Sequence, residues 1–393
     1  MPATSAPPVT AVQGRAPSET RSNRFPFLNL KAQYTEIRGS VHAAVDRVLQ
    51  SQVFILGQEV KAFEAEIAAW VQAPFAIGCA SGSDALLLSL MALGVGPGDE
   101  VITTPFTFVA TVGAIVRLGA RPVFVDIDPR TFNMSPDLIE SAITSQTRAI
   151  IPIHLFGLAA DLNPIMELAA THKLAVVEDA AQALGARYEG RPIGAAGATS
   201  CFSFFPSKNL GGAGDGGMIT TCDSALADRL RVLRVHGAER KYHYDLVGIN
   251  SRLDSLQAAI LRAKLPHLDR WTQRRRENAE RYCRLFADAQ LLDVVTLPAC
   301  PSNCFHVYNQ FTIRVRERDR LREFLRECGI PTEIYYPVPL HLQPAFRFLG
   351  HHEGEFLESE AASKEVISLP LDPSLAGEHQ AAVVNAIAKF YGR

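Results

Sequence analysis

The sequence has no long apolar segment, since none of its apolar runs approaches the ~18 residues that a membrane-spanning helix needs. It also lacks an excess of charge of either sign. The chain has 39 lysines and arginines against 41 aspartates and glutamates, and its net charge is -2. We therefore expect neither a transmembrane helix nor a broad basic surface for nucleic acid.

Cysteines are few and show no pairing pattern. The chain has seven, an odd number, and they are scattered at positions 79, 201, 222, 283, 300, 304 and 328. Cys300 and Cys304 lie near His306, but no second cysteine pair at metal-ligand spacing accompanies them, so we expect no zinc site. Scattered thiols inside apolar runs are typical of a reduced, cytoplasmic protein.

The first 24 residues lack the apolar core of a signal peptide and are rich in proline, alanine, serine and threonine. We interpret residues 1–24 as a disordered tail. The hydrophobic content of 47% is enough for a sizeable core, and 393 residues predict two domains or one large domain with an appendage.

Helical and strand-like segments alternate between residues 25 and 265. Apolar strand-like runs such as EVIT, RPVFVDI, RAIIPIHLFG and LAVVED are separated by helical segments. This pattern predicts an α/β domain with a large, mostly parallel sheet between layers of helices. Ligands of such sheets bind beyond the carboxyl ends of the strands, which is where Ser81, Phe108, Asp179 and Lys208 fall.

Residues 266–393 predict a smaller α+β domain. The segment LDRWTQRRRENAERYCRLFADA reads as a long helix, and we interpret its RRR run as a solvated face. Strand alternation in FHVYNQFTIRV is followed by the helical segment RDRLREFLRECG, and EHQAAVVNAIAKFY predicts a last helix. PTEIYYPVPLHLQPAF and SKEVISLPLDPSL predict loops.

Lys208 lies in CFSFFPSKNLGGAGDGG, where an apolar run stops at Pro206 and a turn follows. A lysine alone in a loop is an ordinary surface residue. A lysine that emerges from apolar surroundings has a lowered pKa and a larger neutral fraction, which makes its amine nucleophilic. Such an amine forms an imine with an aldehyde.

Five further residues fit a cofactor site, and all but Gln182 have a structural alternative. Gly82 and Ser83 open a helix, whose N–H groups bind phosphate, although SGS is also a common capping turn. Phe108 is either a plate for an aromatic ring or a core residue. Asp179 is either a helix cap or the partner of a protonated ring nitrogen. Gln182, three residues on, reaches the oxygen substituent of the same ring.

A reactive amine, a phosphate cradle, an aromatic plate and a carboxylate together describe a site for pyridoxal 5'-phosphate (PLP). Lys208 is expected to hold the cofactor aldehyde as a Schiff base and then to move a proton between the substrate and the cofactor. Asp179 is expected to keep the pyridine nitrogen protonated, so that the ring accepts electrons.

The chain resembles the DegT/StrS family of sugar aminotransferases, which have the type I fold of PLP-dependent transferases. The similar segments follow in the family order from about residue 25 to residue 391, and they are FILGQEVKAFEAEIA, ASGSDAL, TPFTFVAT, VFVDIDPRTFNM, VVEDAAQALGA, SFFPSKNLGGAGDGG and GINSRLDSLQAAIL. The resemblance makes Lys208 the Schiff-base lysine, Asp179 the pyridinium partner, Phe108 the stacking ring and Gln182 the contact to the cofactor hydroxyl.

The resemblance also assigns the phosphate group to Gly82, Ser83 and Ser203. Asn250, in GINSRLDSLQAA, resembles an asparagine that reaches the phosphate from the other subunit, which implies a homodimer with shared active sites. From sequence physics alone, Asn250 is a turn residue before a helix. Leu184 stands where many members have histidine, so substrate contacts around that position are not carried over.

Substrate contacts are implied in two loops. Tyr335, Tyr336 and His341 stand in the loop that the family closes over the substrate, and each has the alternative of a packing role. A second stretch near the substrate in the family contains His236, Arg240 and Tyr242.

The resemblance implies transfer of an amino group from glutamate or glutamine to a keto group of a nucleotide-linked sugar. The form SFFPSKNLGGAGDGG resembles members that act at the 3-position more than those that act on 4-keto sugars. A cyclitol or aminoshikimate-type keto substrate, a sugar dehydratase and a non-catalytic PLP-binding regulatory protein remain as alternatives. Dehydratases of this fold replace the lysine by histidine, so Lys208 argues against that alternative.

Overall fold

The computed structural model describes residues 25–393, and the predicted tail at residues 1–24 lies outside the described residues. The helices are α1 Leu30–Ser51, α2 Gln58–Val71, α3 Gly82–Ala92, α4 Val109–Arg117, α5 Ile139–Ala142, α6 Leu162–His172, α7 Ser224–Leu233, α8 Ser255–Lys264, α9 Leu268–Asp288, α10 Arg318–Glu327, α11 Leu357–Glu365 and α12 Gly377–Phe390. The strands are β1 Phe75–Cys79, β2 Glu100–Thr103, β3 Arg121–Phe124, β4 Thr147–Ile150, β5 Ala175–Asp179, β6 Arg187–Tyr188, β7 Arg191–Pro192, β8 Thr199–Ser203, β9 Gly217–Thr221, β10 Ala238–Arg240, β11 His243–Tyr244, β12 Cys304–Phe305, β13 Phe311–Arg314 and β14 Val366–Leu369.

A seven-stranded sheet with the order β1-β9-β8-β5-β4-β2-β3 forms the centre of the protein. Six of its strands run parallel, and β9 is antiparallel to both of its neighbours, β1 and β8. The prediction of an α/β fold with a large, mostly parallel sheet is confirmed. The short return from β8 to β9 is the segment that contains Lys208 and the glycine run.

Helices cover both faces of this sheet. On one face Leu86 of α3 and Ile115 of α4 pack against Ile77 and Ile219 of the sheet. On the other face Phe63 and Ile67 of α2 share a cluster with Phe202, on β8. Burial on both faces explains why the strands read as continuous apolar runs rather than as alternating ones.

A second hydrophobic core lies among the C-terminal elements. Tyr282 of α9, Phe311 of β13, Ile367 of β14 and Val384 of α12 are fully buried in it, and Phe25 packs against the same cluster. The two strands pair antiparallel, from Phe311 opposite Leu369 to Arg314 opposite Val366. Within residues 25–393 no helix has the length and apolar content to cross a membrane.

Two local predictions are wrong. SKEVISLPLDPSL is not a loop throughout, because it contains the end of α11 and all of β14, whose four residues are all buried and show no alternation. RAIIPIHLFG is not a strand throughout. Strand β4 ends at Ile150, and a short 3-10 helix spans Leu155–Gly157. Pro152 has no N–H to donate to a sheet, which accounts for the early end of the strand.

Candidate active site

A cavity of about 470 Å³ opens at the carboxyl ends of the parallel strands. Its walls come from the loops that follow β1, β2, β4, β5 and β8, together with the loop after α10. The residues that line it include Gly82, Ser83, Phe108, Asp179, Gln182, Ser203, Lys208, Tyr335 and Tyr336. The structure therefore brings nine of the residues predicted from the sequence to one cavity.

Asp179 is the last residue of β5, and its carboxylate is buried. The hydroxyl of Thr111 donates to Oδ2 at 2.7 Å, and the N–H of Ala181 donates to Oδ1 at 3.2 Å. Burial raises the pKa of the Asp179 carboxyl, whereas these two hydrogen bonds and the nearby Lys208 lower it. A cation placed against this carboxylate stabilises its ionised form further.

Lys208 lies on the turn after β8, where its N–H donates to the carbonyl of Phe205 at 2.8 Å. Burial lowers the pKa of Lys208 to about 8, and the negative charge of Asp179 opposes this shift. About a tenth of the amine is therefore neutral and nucleophilic at pH 7, far more than for an ordinary lysine.

Gly82 and Ser83 form the first turn of α3, whose N-cap is Ser81. The first hydrogen bond of the helix joins Ala85 N–H to the Ser81 carbonyl, so the N–H groups of Gly82 and Ser83 precede it. A side chain at position 82 does not fit, because a Cβ there lies 2.7 Å from Cβ of Ser203. Glycine lets the helix end approach Ser203 and leaves an anion-binding corner between them.

Phe108 and Gln182 present an apolar plate and an amide to the cavity. The Phe108 side chain is 55% exposed, so the alternative of a core phenylalanine does not hold. Oε1 of Gln182 accepts the N–H of Phe156 at 2.6 Å, and Nε2 donates to the hydroxyl of Tyr336 at 3.4 Å. These contacts orient the amide so that its NH2 group faces the Tyr336 side of the cavity.

Four of the predicted residues lie outside this cavity in the same chain. His236, Arg240, Tyr242 and Asn250 are all exposed, on or beside the hairpin formed by β10 and β11. Tyr242 is 76% exposed, and Asn250 is joined to Val235 by an isolated β-bridge.

His341 does not line the cavity either. Its side chain is fully buried, Nε2 lies 3.1 Å from Oε1 of Glu360, and the ring packs edge-on against Phe356. This is the packing alternative left open for His341. Leu184, where the chain departs from many family members, is buried in the core.

Sequence reasoning missed two features of the site. Thr111, which holds Asp179, stands one helical turn after Phe108 in TFVAT, and that spacing was the available signal. His154 lines the cavity and is buried, with Nε2 donating to Oε2 of Glu178 at 3.0 Å while Nδ1 accepts the N–H of Ala160 at 3.0 Å. The further lining residues Ser207, Asp215 and Gln310 were not predicted either.

Comparison with known proteins identifies the family. Residues 35–388 match the DegT/DnrJ/EryC1/StrS aminotransferase family. The chain belongs to this family. The resemblance seen in the sequence motifs is confirmed over nearly the whole chain.

Two relatives and one solved structure illustrate the range of the DegT/DnrJ/EryC1/StrS family. The chain is 53% identical over 93% of its length to the "pleiotropic regulatory protein" of Geobacillus stearothermophilus, covering 98% of that protein. It is 45% identical over 94% of its length to a UDP-N-acetyl-3-dehydro-α-D-glucosamine 3-aminotransferase of Acidithiobacillus ferrooxidans, covering 99% of it. NtdA from Bacillus subtilis with bound cofactor PMP is 32% identical, with a TM-score of 0.88, and the match covers 95% of this chain and 87% of NtdA.

The residues of the cavity fit PLP. Position 82 has no room for a Cβ, so glycine lets the amino end of α3 and Ser203 lie close together at the corner of the cavity that suits a phosphate group. The buried Asp179 carboxylate suits a protonated pyridine nitrogen, and the exposed face of Phe108 suits an aromatic ring. Among residues 25–393, no group of three or more histidine, cysteine or acidic side chains has the arrangement of a metal site.

Proposed function

We propose that this protein is a PLP-dependent aminotransferase that moves an amino group from L-glutamate, or L-glutamine, to a keto group of a nucleotide-linked sugar. The observation that carries the proposal is the meeting of Lys208, Asp179 and the Gly82 corner in one cavity of a protein from this aminotransferase family. When bound, PLP supplies a conjugated ring that accepts the electron pair of the bond broken at the donor carbon.

Each residue has a role that follows from its surroundings. Gly82, Ser83 and Ser203 bind the phosphate through N–H and hydroxyl groups, and Phe108 holds the ring by stacking. Asp179 balances the positive charge at the ring nitrogen. Nζ of Lys208 would hold the cofactor aldehyde and, when free, would move the proton from Cα of the amino donor to the cofactor carbon that bears the transferred nitrogen.

We propose that the acceptor is a 3-keto nucleotide sugar. The motif SFFPSKNLGGAGDGG and the name of the relative from Acidithiobacillus ferrooxidans support the 3-position. A 4-keto sugar or a cyclitol or aminoshikimate-type ketone is the alternative substrate. Tyr335 and Tyr336, which line the cavity, are the proposed sugar contacts from this chain.

A homodimer with shared sites is part of the proposal. Within residues 25–393, Lys208 is the one lysine or arginine that lines the cavity, so a dicarboxylate donor needs further cations. The exposed hairpin beside Asn250 carries Arg240, Lys241 and His243. Exposed apolar side chains that suit a subunit interface are Phe54, Ile55, Tyr242, Tyr244 and Val247.

A reducing, cytoplasmic location is proposed because Cys79 and Cys201 are buried as thiols.

A non-catalytic regulatory protein is the second candidate, and the name of the relative from Geobacillus stearothermophilus favours it. The two candidates differ in one measurement, the absorbance spectrum of the protein with PLP before and after L-glutamate is added. An aminotransferase shows a visible band of bound PLP that glutamate converts to the shorter-wavelength band of the pyridoxamine form. A regulatory protein keeps the visible band unchanged with glutamate and with glutamine.

The matched control is Lys208→Ala, which removes the amine and leaves the strands around it in place. We expect this variant to keep its circular dichroism spectrum and to lose both the visible band and turnover. Product analysis with 3-keto and 4-keto nucleotide sugars then assigns the acceptor, and turnover of the 4-keto sugar alone would contradict the proposed position. Persisting transamination in Lys208→Ala would refute the role of Lys208.

A further inference from the structure

Thr111 is the one side chain that donates a hydrogen bond to the Asp179 carboxylate among the described residues 25–393. Its hydroxyl donates to Oδ2 at 2.7 Å, and both side chains are buried. Thr111 is absent from the walls of the cavity, whereas Asp179 is part of them. Thr111 therefore contacts the carboxylate from behind and does not touch a ligand.

A second threonine extends this hydrogen bond into a chain of two hydroxyl groups. Oγ1 of Thr107 lies 3.3 Å from Oγ1 of Thr111, and Thr107 is buried as well. An ionised carboxylate only accepts, so the proton of Thr111 points to Asp179 and the hydroxyl of Thr107 donates to Thr111. Two aligned hydroxyl groups polarise each other and strengthen the bond to the charged end.

Helix α4 carries Thr111, which binds Asp179, and begins beside Phe108, the proposed stacking ring. Phe108 is the N-cap residue of α4, and the N–H of Thr111 donates to the Phe108 carbonyl at 3.3 Å. The two side chains are three residues apart, which places them on the same side of a helix. A single rigid element thus sets the position of the plate relative to the carboxylate.

The other groups that face Asp179 are titratable or fixed by the backbone. Lys208 approaches from the turn after β8, His154 from the loop after β4, Tyr336 from the loop after α10 and Cys201 from β8. The N–H of Ala181 donates to Oδ1, and substitution cannot remove it. The hydroxyl of Thr111 is therefore the hydrogen-bond donor to Asp179 that a substitution can remove without changing a titratable group.

We propose that Thr111 is a positioning residue that holds Asp179 ionised and in place as the partner of the PLP ring nitrogen, through a hydroxyl chain that begins at Thr107. This inference rests on the proposed function, since it takes PLP as the ligand. Without the hydroxyl, the ionised carboxylate loses a charge-assisted hydrogen bond, so the shared proton moves from the ring nitrogen toward Asp179.

The test compares Thr111→Val, which keeps the shape and removes the hydroxyl, with Thr111→Ser, which keeps the hydroxyl. Thr103→Val is the matched control, because Thr103 is also fully buried and its hydroxyl donates to the carbonyl of Ile151, outside the site. The readouts are the 15N chemical shift of ring-labelled PLP on each protein between pH 6 and 9 and the Kd for PLP.

We expect the ring nitrogen of the wild-type protein to give a pyridinium signal. In Thr111→Val the signal moves toward that of neutral pyridine. The Kd for PLP rises about tenfold, because one charge-assisted hydrogen bond is lost. Thr111→Ser and Thr103→Val keep the wild-type values. If Thr111→Val does not fold, Thr111→Cys, with a weaker donor, carries the test and gives an intermediate signal.

A wild-type 15N signal in Thr111→Val or Thr111→Cys, with any change confined to activity or melting temperature, would overturn the inference and leave the proposed function standing. Loss of the pyridinium signal in Thr103→Val as well would also overturn it, because the effect would then follow from any lost buried hydroxyl. A wild-type protein that does not bind PLP would overturn the proposed function itself, before any variant is compared.

Discussion

The amine of Lys208 captures an aldehyde only in its neutral form, so its pKa sets the pH dependence of cofactor capture. Burial lowers this pKa from 10.5 to about 8. We expect the rate constant for PLP capture by cofactor-free protein to rise with pH and to level off above about 8. Stopped-flow absorbance of the visible band measures it. A rate that keeps rising toward pH 10.5, the ordinary value, would contradict the assignment.

Asp179→Asn is a control for this experiment, because the direction in which it should shift the pKa of Lys208 is known. The negative charge of Asp179 raises the pKa of Lys208 against the effect of burial. Removing the charge destabilises the ammonium form, so we expect the midpoint of PLP capture to move to lower pH in this variant. A midpoint that moves upward would show that the two side chains do not interact electrostatically as inferred.

Glu178 contributes to stability from the opposite side of β5. Its buried carboxylate accepts hydrogen bonds from His154 at 3.0 Å, Ser200 at 2.6 Å and Gly197 at 2.9 Å. The amide of glutamine has only one acceptor atom, so in Glu178→Gln an NH2 group faces one of these donors. We expect the free energy of unfolding to fall by about 3 kcal/mol, measured by urea denaturation.

The pH dependence of this loss has a definite sign. Although burial raises the pKa of Glu178, its hydrogen-bond donors lower it below the ordinary value of 4.5. The contribution of Glu178 is therefore fully present above about pH 4.5 and is lost as the pH falls through the lower folded-state pKa. The difference in the free energy of unfolding between wild type and Glu178→Gln should therefore become smaller at acid pH. Glu323→Gln, which breaks an exposed ion pair with Arg326, should show no comparable loss at any pH.

Site residues that follow apolar strands could be predicted from the sequence, whereas residues that contact the site through distant partners could not. Lys208 and Asp179 end apolar runs, which is a pattern visible in one dimension. Thr111 and His154 act through partners 68 and 24 residues away, and no local spacing encodes those contacts. The position of His341 was equally invisible in the sequence, because its pairing with Glu360 joins residues that are 19 positions apart.

At the level of elements, the amino end of α3 is the part most sensitive to added volume. Gly82→Ala places a Cβ 2.7 Å from Cβ of Ser203 and 3.2 Å from its Cα, so the corner must open. We expect the Kd for PLP to rise at least about tenfold in this variant. Equilibrium dialysis measures it, and an unchanged Kd would exclude the α3 corner as the phosphate site.

The matched control lies inside α1. Gly39 is a helical glycine with no atom within 4 Å of an added Cβ. Gly39→Ala therefore adds helix propensity without a clash and should raise the free energy of unfolding by about 0.5–1 kcal/mol. Its Kd for PLP should equal the wild-type value, which separates a local effect at α3 from a general effect of the substitution.

Elements with strong periodicity or with long apolar runs between helices were predicted from the sequence, and the short buried strand β14 was not. Val60, Phe63 and Ile67 recur at helical spacing and form the buried side of α2. β14 has four residues that are all buried, so no alternation marks it, and its partner β13 lies more than 50 residues earlier in the chain, as in Phe311 opposite Leu369. Pairing over such a distance is decided by tertiary contacts.

At the scale of the whole molecule, the alternation of strands and helices predicted the sheet but not its order. Strand β9 returns antiparallel to β8, and the segment between them, which contains Lys208, includes no helix that could act as a crossover. Because β8 pairs with β5, the start of this return lies beside the end of β5, and Lys208 and Asp179 line the same cavity.

A homodimer with shared sites would place Asn250 at the cavity of the other subunit. In one chain Asn250 is exposed and lies outside the cavity that contains Lys208. If two subunits share their sites, Lys208 of one subunit works with Asn250 of the other. Lys208→Ala and Asn250→Ala should then be nearly inactive alone and should complement each other when co-expressed.

The symmetry of a dimer determines how much turnover the two co-expressed variants should restore. In a mixed dimer one site combines both lost residues and the other combines both intact ones, so random pairing gives about a quarter of the wild-type turnover. Two different affinity tags allow the mixed dimer to be purified, and a mixture of Lys208→Ala with Lys208→Ala carrying the second tag is the control. Sites built within single subunits would give no restored turnover in the mixed dimer, because each subunit would then keep its own defect.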